Sequence, residues 1–255
     1  RESLCVATKL APFPWRLGRQ GYRRAFAASQ DRLQGQLHRV QLHWSTARYA
    51  PWQEGPLLDG LVCISSPLDL QACSDQIDRP RNRVYRRWLL RRLLQQTLAD
   101  PFGVSPSERT ALEGHGPRGR LRSIHDFDAA ITAPRWGYAD VEAYYRQASP
   151  IHGLLAELER QAGAGGVDQP TPLPPTLIVH AADDPWVPVE ASEQLAQVVQ
   201  AADADAPPVA RPPLQVLITA QGGHNGFHAR CDSRTGEPGN WSDRLTARWM
   251  RRLVG

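Results

Sequence analysis

The chain has 255 residues, of which 41% are hydrophobic and 22% are charged. This usage excludes wholesale disorder, and no apolar run approaches the roughly 20 residues that a membrane-spanning helix needs. The formal net charge is +4, and Lys9 is the only lysine, so arginine carries nearly all of the positive charge. We interpret this preference for arginine as a composition bias rather than a nucleic-acid surface, and we expect no nucleic-acid partner.

The cysteines do not indicate a disulfide framework. Cys5, Cys63, Cys73 and Cys231 show no C-x-x-C spacing, and a chain of this length does not depend on disulfides for stability. No charged start followed by an apolar block and a cleavage site is visible. The sequence therefore predicts a protein of the reducing cytoplasm.

Residues 1–59 show no sustained hydrophobic period, and we assign no domain to them. Within this stretch, residues 22–43 are the best candidate for a helix, because Leu33, Leu37 and Val40 fall at helical spacing. From residue 60 onward the pattern becomes regular, and residues 60–255 form the predicted folded region.

Three short apolar runs predict buried strands of a parallel sheet, at residues 61–66, 176–181 and 214–220. The last two runs are each followed by a polar turn and then by a helical pattern, at residues 191–202 and 241–253. This alternation of strand, loop and helix is typical of an α/β fold with a parallel sheet.

A long insertion separates the first predicted strand from the second. Its apolar spacing predicts helices over residues 84–98 and 140–147. Residues 99–120 are rich in Gly, Pro and Ser and are predicted to form an exposed loop.

Two loops that follow predicted strands carry the candidate catalytic residues. Asp183 and Asp184 follow the second strand, and His224 lies among glycines after the third. A carboxylate can orient a histidine, and the histidine can then remove the proton from a serine hydroxyl. In the Ser…Asp…His triads of α/β-hydrolases, the acid precedes the histidine along the chain, as it does here. We predict that Asp184 is the orienting acid and that Asp183 caps the turn.

Several alternative interpretations stay open at this point. Asp-Asp-Pro and Gly-Gly-His-Asn-Gly are also ordinary turn sequences. His224, His228 and Cys231 have a spacing that could bind zinc. The basic run at residues 79–92, with Arg86, Arg87, Arg91 and Arg92, could bind anionic lipid or phosphate, or it could be an ordinary solvated helix face.

The chain resembles the YheT-like α/β-hydrolases, which are relatives of the abhydrolase-domain esterases. The resemblance runs from about Leu61 to the C-terminus. It is carried by residues 62–70, 72–73, 82–85, 124–128, 132–134, 137–140, 144–146, 148–149, 180–185 and 222–227. It implies the C-terminal part of an α/β-hydrolase parallel sheet, with residues 68–150 as a helical cap insertion. It also implies a carboxylic-ester hydrolase that acts on a small-molecule ester, needs no cofactor or metal, and has Asp184 and His224 in its triad.

The sequence departs from this family at the nucleophile. No Gly-x-Ser-x-Gly elbow occurs anywhere in the chain. Ser3 is a weak candidate for the nucleophile, whereas Ser65 and Ser66 are interpreted as structural. We expect the chain to be the C-terminal part of a hydrolase whose elbow lies upstream or out of frame. The alternative is a catalytically inactive pseudo-hydrolase, or a binding protein whose basic cap helix binds anionic lipid or phosphate. Transient contact with a membrane surface stays open as a partner, and no oligomeric state is predicted.

Overall fold

The structure is a computed structural model. It describes residues 6–10, 37–42, 60–100, 103–114, 121–163, 173–205, 214–227 and 240–254. The chain divides into two compact units. One comprises residues 1–49 and 70–149, and the other comprises residues 50–69 and 150–255.

The second unit is built on a parallel sheet of three strands. They are β3 (Leu61–Ile64), β4 (Thr176–Ala181) and β5 (Leu214–Thr219), in the order β3-β4-β5. β4 lies in the centre, and every one of its residues is buried. Strands of a parallel sheet that is covered by helices are rich in apolar residues, and the three apolar runs in the sequence predicted them correctly.

Helices cover both faces of this sheet. Ile178 of β4 belongs to an apolar cluster with Leu195 and Leu158, whereas Val179 belongs to a different cluster with Phe227 and Trp249. Neighbouring residues of a strand point to opposite faces, so the two clusters lie on opposite sides of β4. The helices that contribute are α7 (Pro150–Gly163), α8 (Glu190–Asp205) and α9 (Trp241–Val254). This parallel sheet with covering helices confirms the predicted α/β fold.

The first unit is mainly helical over its described residues. Its helices are α1 (Leu70–Asp78), α2 (Arg83–Leu98), α3 (Pro106–Leu112), α4 (Ile124–Phe127), α5 (Ala133–Arg135) and α6 (Val141–Ala148), with a 3-10 turn at Pro80–Asn82 and a π-helical turn at Asp128–Thr132. None of the helices that the structure describes is long and apolar enough to cross a bilayer.

Helix α3 corrects the prediction of a loop over residues 99–120. The Ser105 side chain accepts a hydrogen bond from the Glu108 amide, and the Glu108 carboxylate accepts one from the Ser105 amide. This reciprocal capping box satisfies amides that would otherwise have no partner at the start of the helix. Arg135 also binds the Glu108 carboxylate and donates to Asp100 Oδ2 at 2.6 Å, which ties α3 to α5.

A carboxyl group with little access to solvent lies in the same unit at the π-helical turn. Asp128 Oδ1 accepts from Thr132 Oγ1 at 2.6 Å, and Oδ2 accepts from the Tyr145 hydroxyl at 2.8 Å. The Tyr145 hydroxyl also lies 3.0 Å from Ser74 Oγ. Burial raises the pKa of Asp128 to about 6, although both hydrogen bonds act in the opposite direction.

The predicted helix over residues 22–43 is wrong where the structure describes it. β1 (Val6–Leu10) and β2 (Leu37–Leu42) pair in parallel as a separate two-stranded sheet. The three apolar residues at helical spacing were a weak local signal, and pairing with a distant strand outweighed it. Residues 22–36 lie outside the described residues.

Candidate catalytic site

The two predicted catalytic loops follow adjacent strands of the sheet. β4 ends at Ala181, just before Asp183 and Asp184, and β5 ends at Thr219, before His224. β4 and β5 are parallel neighbours, so their carboxyl ends lie at the same edge of the sheet, where ligands bind in open α/β sheets. The structure brings His224 and Asp184 into direct contact.

Asp184 is held in place by its own loop. Its Oδ1 accepts hydrogen bonds from the amides of Trp186 at 2.9 Å and Val187 at 3.0 Å. Its Oδ2 lies 3.0 Å from His224 Nδ1, and the side chain is fully buried. Burial alone would raise the pKa of the Asp184 carboxyl, but the hydrogen bonds from His224, Trp186 and Val187 outweigh it and lower the pKa below its usual value.

The ionised carboxylate determines which nitrogen of His224 carries the proton. A carboxylate can only accept a hydrogen bond, so Nδ1 donates to Asp184 and Nε2 keeps its lone pair. The Trp186 ring lies 4.9 Å from the His224 ring, centroid to centroid, and the imidazole remains partly exposed. An imidazole oriented in this way can accept a proton at Nε2 as a general base.

Two side chains hold the backbone on either side of His224. Asp183 Oδ1 accepts a hydrogen bond from the Gly223 amide at 2.7 Å, and Ser65 Oγ accepts one from the Asn225 amide at 3.2 Å. Asp183 was predicted to cap its own turn, whereas its carboxylate bonds to the neighbouring histidine loop. Both contacts restrain the loop that carries the imidazole.

The histidine loop has a compact backbone that glycine suits at two positions. Gly223 has φ +55°, in the left-handed region. A Cβ on Gly222 would lie 2.7 Å from the Phe227 ring and 2.9 Å from the Ala181 side chain. The Gly222 carbonyl accepts from the amides of Gly226 and Phe227, which closes the loop around Asn225.

Ser65 was interpreted as structural, and the structure agrees, but sequence reasoning did not find its partner. It directly follows β3, is 3% exposed and has φ +49°. A serine at the end of a strand carries no sequence signal for such a contact, because its partner Asn225 lies far along the chain.

His180 lies close to the pair but has other partners. Its Nε2 is 3.1 Å from the Val187 carbonyl, so Nε2 must donate, and Nδ1 must then accept from Ser192 Oγ at 2.7 Å. Burial lowers the pKa of His180 and outweighs the opposing effect of the Val187 carbonyl. His180 is thus a buried neutral imidazole with both nitrogens bonded, and it carries its proton on the opposite nitrogen from His224.

The remaining site candidates lie outside the described residues. These are Ser3, the nucleophile candidate, and His228 and Cys231, the other members of the alternative zinc site. Within the described part of the chain, no three His, Cys, Asp or Glu side chains are grouped so that they could hold a metal ion.

Comparison with known proteins identifies three relatives, of which two are named as ester hydrolases and one as a reductase. A protein of Escherichia coli (strain K12), provisionally named esterase YheT, is 34% identical over 175 residues, which cover 67% of this chain and 41% of the relative. Phospholipase ABHD3 of Mus musculus is 25% identical over 161 residues, or 61% of this chain and 31% of the relative. The chloroplastic pyridoxal reductase of Arabidopsis thaliana is 56% identical over 63 residues, or 24% of this chain and 17% of the relative.

The first of these comparisons agrees with the fold. The chain spans less than half the length of the curated relatives that it matches. No protein-family model and no solved structure matches it. The match to YheT over two thirds of this chain accompanies a parallel sheet with covering helices. The chain therefore belongs to the YheT-like α/β-hydrolases, and its sheet is the C-terminal part of their fold.

Proposed function

We propose that this chain supplies the acid and the histidine of a carboxylic-ester hydrolase. One observation carries the proposal: a buried, ionised Asp184 lies 3.0 Å from His224 Nδ1 and is anchored by two backbone amides. The esterase and phospholipase names of two relatives support ester chemistry.

In the proposed reaction, His224 Nε2 removes the proton from a serine hydroxyl as the serine oxygen attacks the ester carbonyl. The tetrahedral intermediate collapses, and the same imidazole returns the proton to the departing alcohol, which leaves an acyl-serine. Water, activated by His224 in turn, hydrolyses the acyl-serine to the acid. Asp184 holds the productive tautomer and stabilises the imidazolium that forms in each step.

The nucleophile is the third group that the proposed reaction needs. Ser3 stays the sequence candidate, and no Gly-x-Ser-x-Gly elbow occurs in the chain. An oriented histidine can also activate water directly against a reactive ester, so the pair can be tested without a serine. We further propose that residues 68–150 form the cap insertion, because residues 70–149 belong to a different compact unit from the sheet.

The test is hydrolysis of p-nitrophenyl acetate by the full chain and its variants. We expect His224→Ala to lower the rate by roughly 100-fold or more, which is the usual contribution of general-base catalysis. Asp183→Asn is the matched control, since it removes a neighbouring charge but keeps an acceptor for the Gly223 amide. Equal rates for the wild type and His224→Ala would refute the proposal.

A serine-directed fluorophosphonate probe separates the two sources of activity. Because the elbow is missing, we expect no labelling of this chain. Labelling that disappears in His224→Ala would instead place a reactive serine within it.

The missing elbow favours one second candidate, a pseudo-hydrolase that keeps the fold for binding. Its signature would be the absence of both labelling and His224-dependent hydrolysis in a chain that is folded.

A further inference from the structure

Helix α2 exposes large apolar side chains next to arginines. Its residues Leu90 and Thr97 are buried, whereas Val84 is 79% exposed, Trp88 54% and Leu98 41%. Large hydrophobic side chains are normally buried. A half-exposed tryptophan next to a largely exposed valine therefore forms an apolar surface that calls for an explanation.

The exposed apolar residues form one face of the helix. At about 100° per residue, positions 84, 88, 91 and 95 fall within one narrow stripe. Arg87 and Arg91 lie along one side of Val84 and Trp88, and Arg92 lies beyond the other side; all three arginines are exposed. The Tyr85 ring stacks on Trp88 at 5.8 Å between centroids and supports its orientation.

This face has no compensating negative charge in its own sequence. Residues 79–98 contain no Asp or Glu, and Arg79, Arg81 and Arg83 are exposed as well. Arg86 is different from the others, because its Nη1 donates to the Asp78 carbonyl at 2.8 Å and lies 3.7 Å from Asp78 Oδ1. We therefore do not include Arg86 in the basic face.

We propose that this face, defined by Val84, Trp88, Arg87, Arg91 and Arg92, docks on an anionic lipid bilayer. Tryptophan prefers the boundary between water and lipid, valine gains from entering the acyl region, and arginine binds lipid phosphate. A soluble phosphate or a nucleic acid would use the arginines but would leave Val84 exposed. A bilayer that carries anionic headgroups offers a contact to both kinds of side chain, because the arginines meet the phosphates while Trp88 and Val84 enter the boundary below them.

Cosedimentation of the full chain with vesicles tests the proposal. We expect binding to phosphatidylcholine vesicles that contain phosphatidylglycerol and no measurable binding to phosphatidylcholine alone. Each basic residue near an anionic surface strengthens binding about fivefold, so Arg87→Ala with Arg91→Ala should weaken it by about 25-fold. Raising the salt from about 0.1 M to about 1 M should also weaken it, because the Debye length shortens to about 3 Å.

A matched control uses the basic residues of α9. Arg248→Ala with Arg251→Ala removes the same charge from exposed positions of a helix in the other compact unit, and it should leave binding unchanged. Trp88→Ser should weaken binding even at low salt, because it removes the apolar contact and keeps every charge.

Three outcomes would overturn the proposal. The first is no binding to the anionic vesicles. The second is an equal loss in the α9 control, which would indicate attraction by net charge alone. The third is unchanged binding in Trp88→Ser together with competition by inorganic phosphate or RNA, which would indicate a soluble anion or a nucleic acid. None of these variants touches Asp184 or His224, so a failure here is distinct from a failure of the proposed hydrolase.

Discussion

Replacing Asp184 by asparagine is expected to reverse the tautomer of His224. The asparagine oxygen can still accept from the amides of Trp186 and Val187, which now bond to Oδ1. The amide nitrogen then takes the place of Oδ2, 3.0 Å from His224 Nδ1, and it can only donate. Nδ1 must become the acceptor, and the proton moves to Nε2.

The magnitude follows from these contacts. Keeping the original tautomer would place two hydrogen-bond donors against each other, and leaving them unsatisfied costs about 1–3 kcal/mol. The reversed tautomer should therefore be more populated by about 5- to 150-fold. Loss of the charged hydrogen bond should lower the free energy of unfolding by about 1.5–3 kcal/mol. Asp184→Ala should lower it further, because the buried Val187 amide loses its acceptor as well.

The measurement is nitrogen NMR of protein labelled with ¹⁵N-histidine. It is made at about pH 8, above the ordinary histidine pKa, so that the two tautomers are resolved. His224→Ala identifies the signals of His224 among those of the eight histidines. His180 already carries its proton on Nε2, so its signals provide a reference for the tautomer that His224 should adopt.

Asp183→Asn is the matched control, since its contact is with the Gly223 amide rather than with the imidazole. It should leave the tautomer of His224 unchanged. If Asp184→Asn retains the proton on Nδ1, the inferred role of Asp184 in orienting His224 is wrong.

Three other predictions concern residues around the site and in the helical unit. Ser65→Ala removes the acceptor of the Asn225 amide and should lower the free energy of unfolding by about 1 kcal/mol. It should also speed solvent exchange of the His224 Nδ1 proton, and unchanged exchange would argue against restraint by Ser65. The pKa of Asp128 is raised to about 6, so its contribution to stability is full below its unfolded pKa and is lost as the pH rises through about 6. Urea titrations at several pH values should show a loss of up to about 3 kcal/mol in the free energy of unfolding, which Asp128→Asn should abolish. The same pH dependence in the wild type and in Asp128→Asn would contradict this prediction. Arg135→Ala removes the guanidinium that Asp100, 3% exposed, shares with Glu108, and it should lower the free energy of unfolding by about 3 kcal/mol. Arg109→Ala breaks an exposed pair and should lower it by less than about 1 kcal/mol.

Sequence reasoning succeeded where one local pattern is sufficient. The three strands of the larger sheet are short, mainly apolar runs that follow Gly or Pro, which is the pattern typical of strands in a parallel sheet covered by helices. The helical patterns at 84–98, 191–202 and 241–253 correspond to α2 (Arg83–Leu98), α8 (Glu190–Asp205) and α9 (Trp241–Val254). Asp184 and His224 stood out because each lies just after such a strand.

Sequence reasoning failed where it used the types of residue in a segment but not the spacing between them. Gly, Pro and Ser made residues 99–120 look like a loop, although Ser105-Pro-Ser-Glu108 has the spacing of a capping box. The Arg86 side chain was grouped with the free basic residues, but its nearest partner is Asp78, eight residues earlier. A side-chain partner outside the helix cannot be read from helical periodicity.

The sequence by itself determined the α/β alternation, the order of the acid and histidine loops, and the resemblance to the YheT-like hydrolases, because each is written in contiguous residues. The sequence also favoured Asp184 over Asp183 as the partner of His224, but only the tertiary structure shows the contact between them and the side chains that restrain the histidine loop. Asp183 and Asp184 are adjacent and chemically identical, yet one bonds to Gly223 and the other to His224. That difference depends on how the parallel strands β4 and β5 place the loops that follow them at one edge of the sheet. Ser65 contacts the histidine loop at Asn225, 160 residues later in the chain, and no local sequence pattern encodes such a contact.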